Sequence, residues 1–167
     1  MLKTRQLVVA GLLAAVTIVL GMSGLGLIPV PTPAGRATIM HVPVILAGVL
    51  EGPLVGAMVG FIFGLYSIST AGVPFLLDPV IAILPRILIG ILSAYVFKIT
   101  HKASLAAVAG TICNTAGVLG LAVLKGYLPW EAALGVAVLH GLPEVVVAAV
   151  LAYLLVRIIR RYYNFAP

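Results

Sequence analysis

Charged residues are scarce in this sequence, and acidic residues most of all. Charged side chains make up 8% of the 167 residues, with four Asp and Glu together, whereas 63% of the residues are apolar. A soluble domain needs far more charge to cover its surface. We therefore interpret the chain as an integral membrane protein, in which a single transmembrane domain spans residues 1–167 and leaves no room for a second, water-soluble one.

Cysteine is nearly absent, and so are the usual motifs of catalysis. Cys113 stands alone in an apolar run, which excludes an intrachain disulfide and a cysteine-based zinc site. Three unclustered histidines do not make a metal site. No phosphate-cradling loop or acidic metal cluster is present, so ATP hydrolysis would have to come from another subunit. Gly21-Met22-Ser23-Gly24 matches the GxSG pattern of rhomboid proteases, but in that family the serine lies on a later helix. We expect no enzyme activity and no cofactor.

The ten basic residues give a net charge of +6, but they lie scattered at segment ends. They lack the clustering and aromatic interleaving of a nucleic-acid-binding surface. We therefore expect no nucleic-acid partner and interpret the basic residues as signals of membrane topology.

Apolar residues form six segments. In chain order these are Leu7–Ile28, Thr38–Glu51, Pro53–Ser69, Pro79–Ile99, Ala103–Leu124 and Glu131–Arg157. The second is short, because as a helix it would reach ~21 Å against a hydrocarbon core of ~30 Å. It is either a short, partly buried span or a re-entrant piece. The first is long for the core of a signal peptide, so we interpret it as the first transmembrane helix.

Glycine and proline mark the connections between these segments. Glu51-Gly52-Pro53 predicts a turn between two helices, and the two larger loops, Pro29–Ala37 and Thr70–Asp78, fall on the same side of the membrane. With the N-terminus inside, the cytoplasmic side holds seven Lys and Arg residues and the outside two. This asymmetry predicts that both termini are cytoplasmic and that the two loops face outward.

Polar side chains at bilayer depth are functional candidates because burying them there is costly. The candidates are His41, Arg86, Asn114, His140 and Glu144. We expect those on the fourth, fifth and sixth segments to converge in the outer half of the bundle. One interpretation is an internal pair between Arg86 and Glu144, with Asn114 forming hydrogen bonds between helices. A ligand pocket is the other, and the lone histidine of the second segment favours a structural role.

Small residues recur at helical spacing on two segments. The glycine ridge Gly56–Gly64, with the pattern GxxxGxxxG, favours close helix packing within the chain. The first segment carries two parallel rows, Ala10 with Ala14 and Gly11 with Ala15. These serve either internal packing or a partner helix.

The run from Thr38 to Gly60, TIMHVPVILAGVLEGPLVGAMVG, resembles the substrate-binding S components of energy-coupling factor (ECF) vitamin transporters, in particular the pantothenate-like and hydroxymethylpyrimidine-like branch. Leu84–Gly90 and Gly141–Glu144 resemble the family's fourth and sixth helix patterns. The resemblance implies an all-α bundle of six transmembrane helices in the prokaryotic cytoplasmic membrane. It also implies a vitamin site near the outer face, covered by the loops after helices one and three.

The resemblance further implies partners, namely a transmembrane coupling protein and two cytoplasmic ATPases, with the family's AxxxA docking motif at Ala10 and Ala14. The predicted substrate-binding residues are Arg36, His41, Tyr66, Arg86, Asn114, His140 and Glu144. These side chains suit a small polar ligand with a carboxylate or ring nitrogens, and we rank pantothenate first. Two alternatives stay open: a structural or regulatory membrane subunit without a ligand, and a stand-alone carrier coupled to protons through His140 and Glu144.

Overall fold

Six helices, one antiparallel strand pair and one short 3-10 helix make up the described part of the chain, residues 2–29 and 36–162 of a computed structural model. The helices are α1 (Thr4–Met22), α2 (Val42–Glu51), α3 (Pro53–Ser69), α4 (Pro79–Thr100), α5 (Ala103–Leu124) and α6 (Trp130–Tyr162). The strands are β1 (Leu27–Pro29) and β2 (Arg36–Thr38), and the 3-10 helix is Pro74–Leu77.

The strand pair corrects the sequence prediction at the ends of the first two segments. Leu27 pairs with Thr38 in the two-stranded sheet, so α1 ends six residues before the predicted boundary at Ile28 and α2 begins after Thr38. Gly24, at φ +73°, adopts a backbone conformation that glycine enters without steric cost, and it lies two residues after the end of α1 at Met22. Residues 30–35 of the predicted outer loop lie outside the described residues.

The helices differ in length, and the difference bears on which of them cross the bilayer. Four helices, α1, α4, α5 and α6, are long and apolar enough to span a membrane. The helices α2 and α3 have 10 and 17 residues, and ten residues reach only ~15 Å. All residues from Val42 to Val49 are buried. A helix that is apolar on every side is enclosed by protein, so α2 is a short helix at the centre of the bundle.

The glycine ridge of α3 packs against α4 with direct backbone contact. A methyl group on Gly60 would collide with the carbonyl group of Arg86, and one on Gly90 would collide with the backbone of Gly56. Gly48 of α2 meets the same part of α4 at the Gly90 carbonyl. Packing within the chain, the interpretation favoured from sequence, is therefore confirmed. The ridge also fixes the height and rotation of α4 at Arg86.

Ion pairs tie the helix ends at the two faces of the bundle. Arg5 at the start of α1 lies 2.8 Å from Glu51 at the end of α2. At the other face, Asp78 accepts a hydrogen bond from the Val80 amide at 2.9 Å, which caps α4, and it pairs with Lys125 at the end of α5. The hydrogen bond from Lys125 lowers the pKa of Asp78. The pair therefore stabilises the fold above the ordinary carboxyl pKa and is lost as the pH falls through the lowered value.

The helix ends lie at two faces of the bundle. The N-terminal face contains the start of α1, the turn between α2 and α3, the α4–α5 turn and the end of α6. The hairpin face contains the strand pair, the 3-10 helix and the start of α6.

Candidate functional site

A cavity of about 190 Å³ opens between α4, α5 and α6, toward the hairpin face. We call it the α5–α6 pocket. Its polar wall is formed by side chains from three helices, and the rest is apolar, including Leu76 and Phe75 of the 3-10 helix. The polar residues are Arg86, Asn114, Thr115, His140 and Glu144. Four of the seven residues predicted to bind substrate thus line one cavity. The polar residues of the fourth, fifth and sixth segments converge, as helical spacing predicted.

A second cavity, of about 300 Å³, lies between α1, β2 and α3, and we call it the α1–α3 pocket. Arg86 and Leu76 line both pockets, so they form the wall between them. The other polar lining residues are Thr38, Tyr66, Ser67 and Thr70. A single guanidinium can therefore meet a ligand from either side.

The position of Arg86 follows from the proline that precedes it. Pro85 has no backbone N–H, so it cannot donate the helical bond to the carbonyl of Ile81, four residues earlier. Arg86 Nη1 donates to that carbonyl oxygen at 3.0 Å. The guanidinium also stacks on the Phe63 ring of α3, 5.5 Å from its centroid. The Pro-Arg pair thus places a buried cation at a fixed point between the pockets.

Arg86 retains hydrogen-bonding capacity after these contacts. Its side chain is 6% exposed, and its Nε atom has no hydrogen-bond partner within the described chain. The salt bridges found among the described residues are Arg5–Glu51 and Lys125–Asp78, so Arg86 and Glu144 are not in direct contact. Their opposite charges attract each other across the pocket that both residues line, and the internal pair considered from sequence is present only as this longer-range interaction. A buried guanidinium with an unused donor is a binding group for an anion.

Glu144 instead bonds to the backbone of the strand pair. Its carboxylate accepts a hydrogen bond from the Thr38 amide at 2.8 Å, and the residue is 6% exposed. Thr38 lines the α1–α3 pocket whereas Glu144 lines the α5–α6 pocket. This bond therefore joins β2 to α6 and links a wall residue of one pocket to a wall residue of the other.

Asn114 and His140 complete the polar wall of the α5–α6 pocket. Asn114 is 7% exposed, and its Oδ1 atom has no hydrogen-bond partner among the described residues. Its side-chain amide offers both donors and an acceptor. Rotation of the amide group by half a turn exchanges the positions of its oxygen and nitrogen and so can suit either kind of ligand group. His140 lies on α6 one turn before Glu144 and faces the same cavity.

The three other predicted binding residues lie in different surroundings. His41 is fully buried, and its Nε2 atom lies 2.9 Å from Thr111 Oγ1. It lines neither pocket and lies in the core, where its Nδ1 atom has no hydrogen-bond partner among the described residues, so its predicted binding role stays a prediction. Tyr66 lines the α1–α3 pocket and packs so closely on Gly21 that an added methyl group would lie 2.6 Å from its hydroxyl oxygen. The side chain of Arg36 lies outside the described residues.

Several lining residues were not predicted from the sequence. Phe63 and Ser67 follow Gly60 at helical spacing and lie on the same side of α3, which is the signal that could have identified them. Thr115 follows directly on Asn114. Thr38 could not have been identified locally, because its strand forms through pairing with β1.

The rows of small residues on α1 separate into a buried and an exposed row. Ala10 and Ala14 are each 4% exposed and belong to the hydrophobic core. In this structure the Ala10–Ala14 row packs within the chain, and its docking role stays a prediction. The exposed small row is Gly11 and Ala15, the second of the two parallel rows.

The site supplies binding groups on two sides of one cation. The described residues contain no group of three or more His, Cys, Asp or Glu side chains that could hold a metal ion. The Ser23 hydroxyl of the GxSG motif donates to the Val19 carbonyl at 2.7 Å within its own helix turn. The pockets contain a cation, several polar side chains and apolar surface. These groups suit a small molecule with an anionic end and a polar, partly apolar body.

Comparison with known proteins agrees with this chemistry. Residues 5–156 match the model of the family described as ECF transporter, substrate-specific component. The chain is also 34% identical to the pantothenic acid transporter PanT of Lactococcus lactis subsp. cremoris strain MG1363. That alignment covers 77% of this chain and 80% of the relative.

Replacing Glu144 tests the bond between α6 and β2. We expect Glu144→Ala to lower the stability of the purified protein by about 1–3 kcal/mol, because the partly buried Thr38 amide loses its acceptor. Glu144→Gln keeps a carbonyl oxygen at the same reach and should retain most of the stability. Thermal unfolding in detergent measures both. Equal losses for the two variants would show that the charge of Glu144, and not its hydrogen bond to Thr38, stabilises the fold.

Proposed function

Because this chain belongs to the family of substrate-specific components of ECF transporters, we propose that it captures pantothenic acid at the membrane surface for ATP-driven uptake. The relative from Lactococcus lactis is named for transport of that vitamin, and the two pockets supply the matching chemistry. The chain is the binding subunit. The coupling subunit and the two cytoplasmic ATPases supply the energy, since the sequence has no phosphate-cradling loop of its own.

The observation that carries the proposal is the buried guanidinium of Arg86. Its Nε donor has no partner in the described chain, and no acid of the described residues forms an ion pair with it. Leaving such a cation unpaired at bilayer depth is costly. The carboxylate of pantothenic acid neutralises it and accepts its hydrogen bonds, and such charge-assisted bonds are stronger than neutral ones.

The rest of the vitamin finds complementary groups nearby. Pantothenic acid carries an amide and two hydroxyl groups in addition to its carboxylate. The unpartnered Oδ1 of Asn114 accepts a hydrogen bond from one of these donors, and His140 and Thr115 of the same wall offer further polar contacts. The dimethyl-substituted carbon of the vitamin packs on the apolar lining, which includes Leu76.

The orientation of the chain is part of the proposal, with the N-terminal face in the cytoplasm and the hairpin face outside. The seven-to-two distribution of basic residues supports it. In a Cys113→Ser background, Gly72→Cys should react with an impermeant maleimide on intact cells, because Gly72 is exposed and surrounded by open space. Thr4→Cys should react only after lysis. The reverse pattern would invert the topology.

Docking of the coupling subunit is assigned to the exposed face of α1. Only 17% of the residues in the apolar stretch of α1 are buried, the lowest fraction among the four candidate spans. The small residues Gly11 and Ala15 form a shallow row between larger apolar side chains on its exposed side. A partner helix can approach closely there, whereas the row of Ala10 and Ala14 is occupied by the chain's own core.

A pair of double variants separates docking from internal packing. Gly11→Leu with Ala15→Leu should leave pantothenate binding unchanged and reduce both ATP-driven uptake and co-purification with the coupling subunit. Ala10→Leu with Ala14→Leu should overpack the core and lower thermal stability, by roughly 1–3 kcal/mol per site. Full uptake by the first variant would refute docking through this row. If Ala10→Leu with Ala14→Leu abolished partner binding without lowering stability, the docking row would be Ala10 and Ala14, as the sequence predicted.

The direct test of the proposed function is calorimetric titration of the purified protein with pantothenate. Arg86→Ala should weaken binding by on the order of 2–5 kcal/mol, because the ligand carboxylate would lose its cation in a buried site. Arg161→Ala removes an equally positive side chain from the exposed end of α6 and serves as the control. Unchanged affinity in a stably folded Arg86→Ala variant would remove Arg86 from the site.

Two outcomes of the same preparation would favour the alternative functions. Absence of any ligand binding by the wild-type protein would favour a structural subunit. Uptake by the isolated chain that depends on a proton gradient and not on the ATPases would favour a proton-coupled carrier.

A further inference from the structure

The N-terminal face carries a second pair of cavities, far along the helices from the proposed vitamin site. They measure about 280 and 520 Å³ and share Phe97, His101 and Arg160 as lining residues. Lys98 lines the smaller cavity, and Lys102 and Arg157 line the larger. Four permanently cationic side chains from α4, the α4–α5 turn and α6 therefore line two adjoining cavities, and the proposed transport function uses none of them.

These cations have no acidic partner among the described residues. The chain has four Asp and Glu residues in all. Glu51 pairs with Arg5, and Asp78 pairs with a lysine at the hairpin face. Glu144 accepts its hydrogen bond from β2, and Glu131 lies in the first turn of α6, at the opposite end of that helix. The cluster thus has an excess of positive charge that an external anion can balance.

The two arginines of the cluster are held by aromatic rings. The guanidinium of Arg160 lies 5.0 Å from the centroid of Phe97, and that of Arg157 lies 6.0 Å from the centroid of Tyr153 and donates to its hydroxyl at 3.3 Å. Stacking leaves the N–H edges of a guanidinium available and fixes its plane. Such a planar fork matches the oxygens of a phosphate group.

Exposed apolar side chains neighbour these cations: Ile99 follows Lys98, Ile158 follows Arg157, and Tyr153 lines the larger cavity. Ile99 is 78% exposed, Ile158 53% and Tyr153 49%. An anion that also carries long apolar chains can place its charged end among the cations and its chains along these residues. A phosphate dissolved in water uses the first feature and not the second.

From these observations we infer that the cavity pair binds the phosphate headgroup of an anionic phospholipid, with the acyl chains lying against the outer surface of α4 and α6. Basic pockets between transmembrane helices at a membrane face bind acidic lipid headgroups in this way. The site would anchor the end of α6 to the α4–α5 turn through a shared anion. It is independent of the vitamin pockets and is testable without any vitamin or coupling subunit.

The test uses the full chain in detergent micelles that contain equal amounts of dioleoyl phosphatidylglycerol and dioleoyl phosphatidylcholine. Native mass spectrometry then measures which lipid stays bound to the protein. The wild-type protein should retain the anionic lipid in preference. Arg157→Gln with Arg160→Gln should weaken that retention by about fivefold for each cation removed. Retention of the zwitterionic lipid should be unchanged, and added salt should reduce the preference.

Arg161→Gln is the matched control, because Arg161 is exposed on the same helix end and lines neither cavity. Equal loss in this variant would show a general charge effect and overturn the site. The pair Arg157→Lys with Arg160→Lys keeps the charge and loses the planar fork, so it should retain more anionic lipid than the glutamine pair and less than the wild type. This variant also covers the case in which the glutamine pair fails to fold. Equal retention of both lipids by the wild type would also overturn the inference.

Glycerol 3-phosphate separates the lipid from a soluble source of the same phosphate chemistry. At millimolar concentration it should displace little phosphatidylglycerol, because it lacks the acyl chains. Complete displacement, together with thermal stabilisation of the protein in detergent without lipid, would assign the cavity to a soluble phosphate and refute the lipid.

Discussion

A guanidinium buried at bilayer depth must find its polar partners inside the protein, and the architecture around Arg86 follows from that constraint. Pro85 leaves the Ile81 carbonyl without its helical donor, and the next residue supplies one. Gly60 allows α3 to touch the α4 backbone at this height. The cation is thereby fixed without a direct salt bridge to an acid. A site that holds a charge without cancelling it is prepared for a ligand of opposite charge.

The sequence predicted the regular parts of this fold well. The bounds of α3 and α5 were predicted to the residue, and the turn at Gly52 was signalled by a glycine and a proline, because these features depend on local chemistry. Convergence of Arg86, Asn114, His140 and Glu144 on one cavity followed from helical spacing and from the cost of polar groups in lipid.

What the sequence did not reveal depends on contacts between distant residues. The strand pair forms only when Leu27 meets Thr38, and Glu144 reaches an amide 106 residues away in the chain. Two equivalent rows of small residues on α1 differ only in which one the rest of the bundle covers. Helical periodicity identifies both rows but cannot rank them, so burial of Ala10 and exposure of Gly11 had to come from the structure.

The short central helix has a consequence for how the protein enters the membrane. A helix of ten residues covers about half of a ~30 Å hydrocarbon core, and its end groups would remain unsatisfied in lipid. We therefore expect that α2 has no stable resting position during synthesis before α3 and α4 arrive to enclose it. Biogenesis of this protein would then proceed by insertion of the α2–α3 hairpin as one unit, and not by the independent partitioning of single helices from the ribosome into the bilayer.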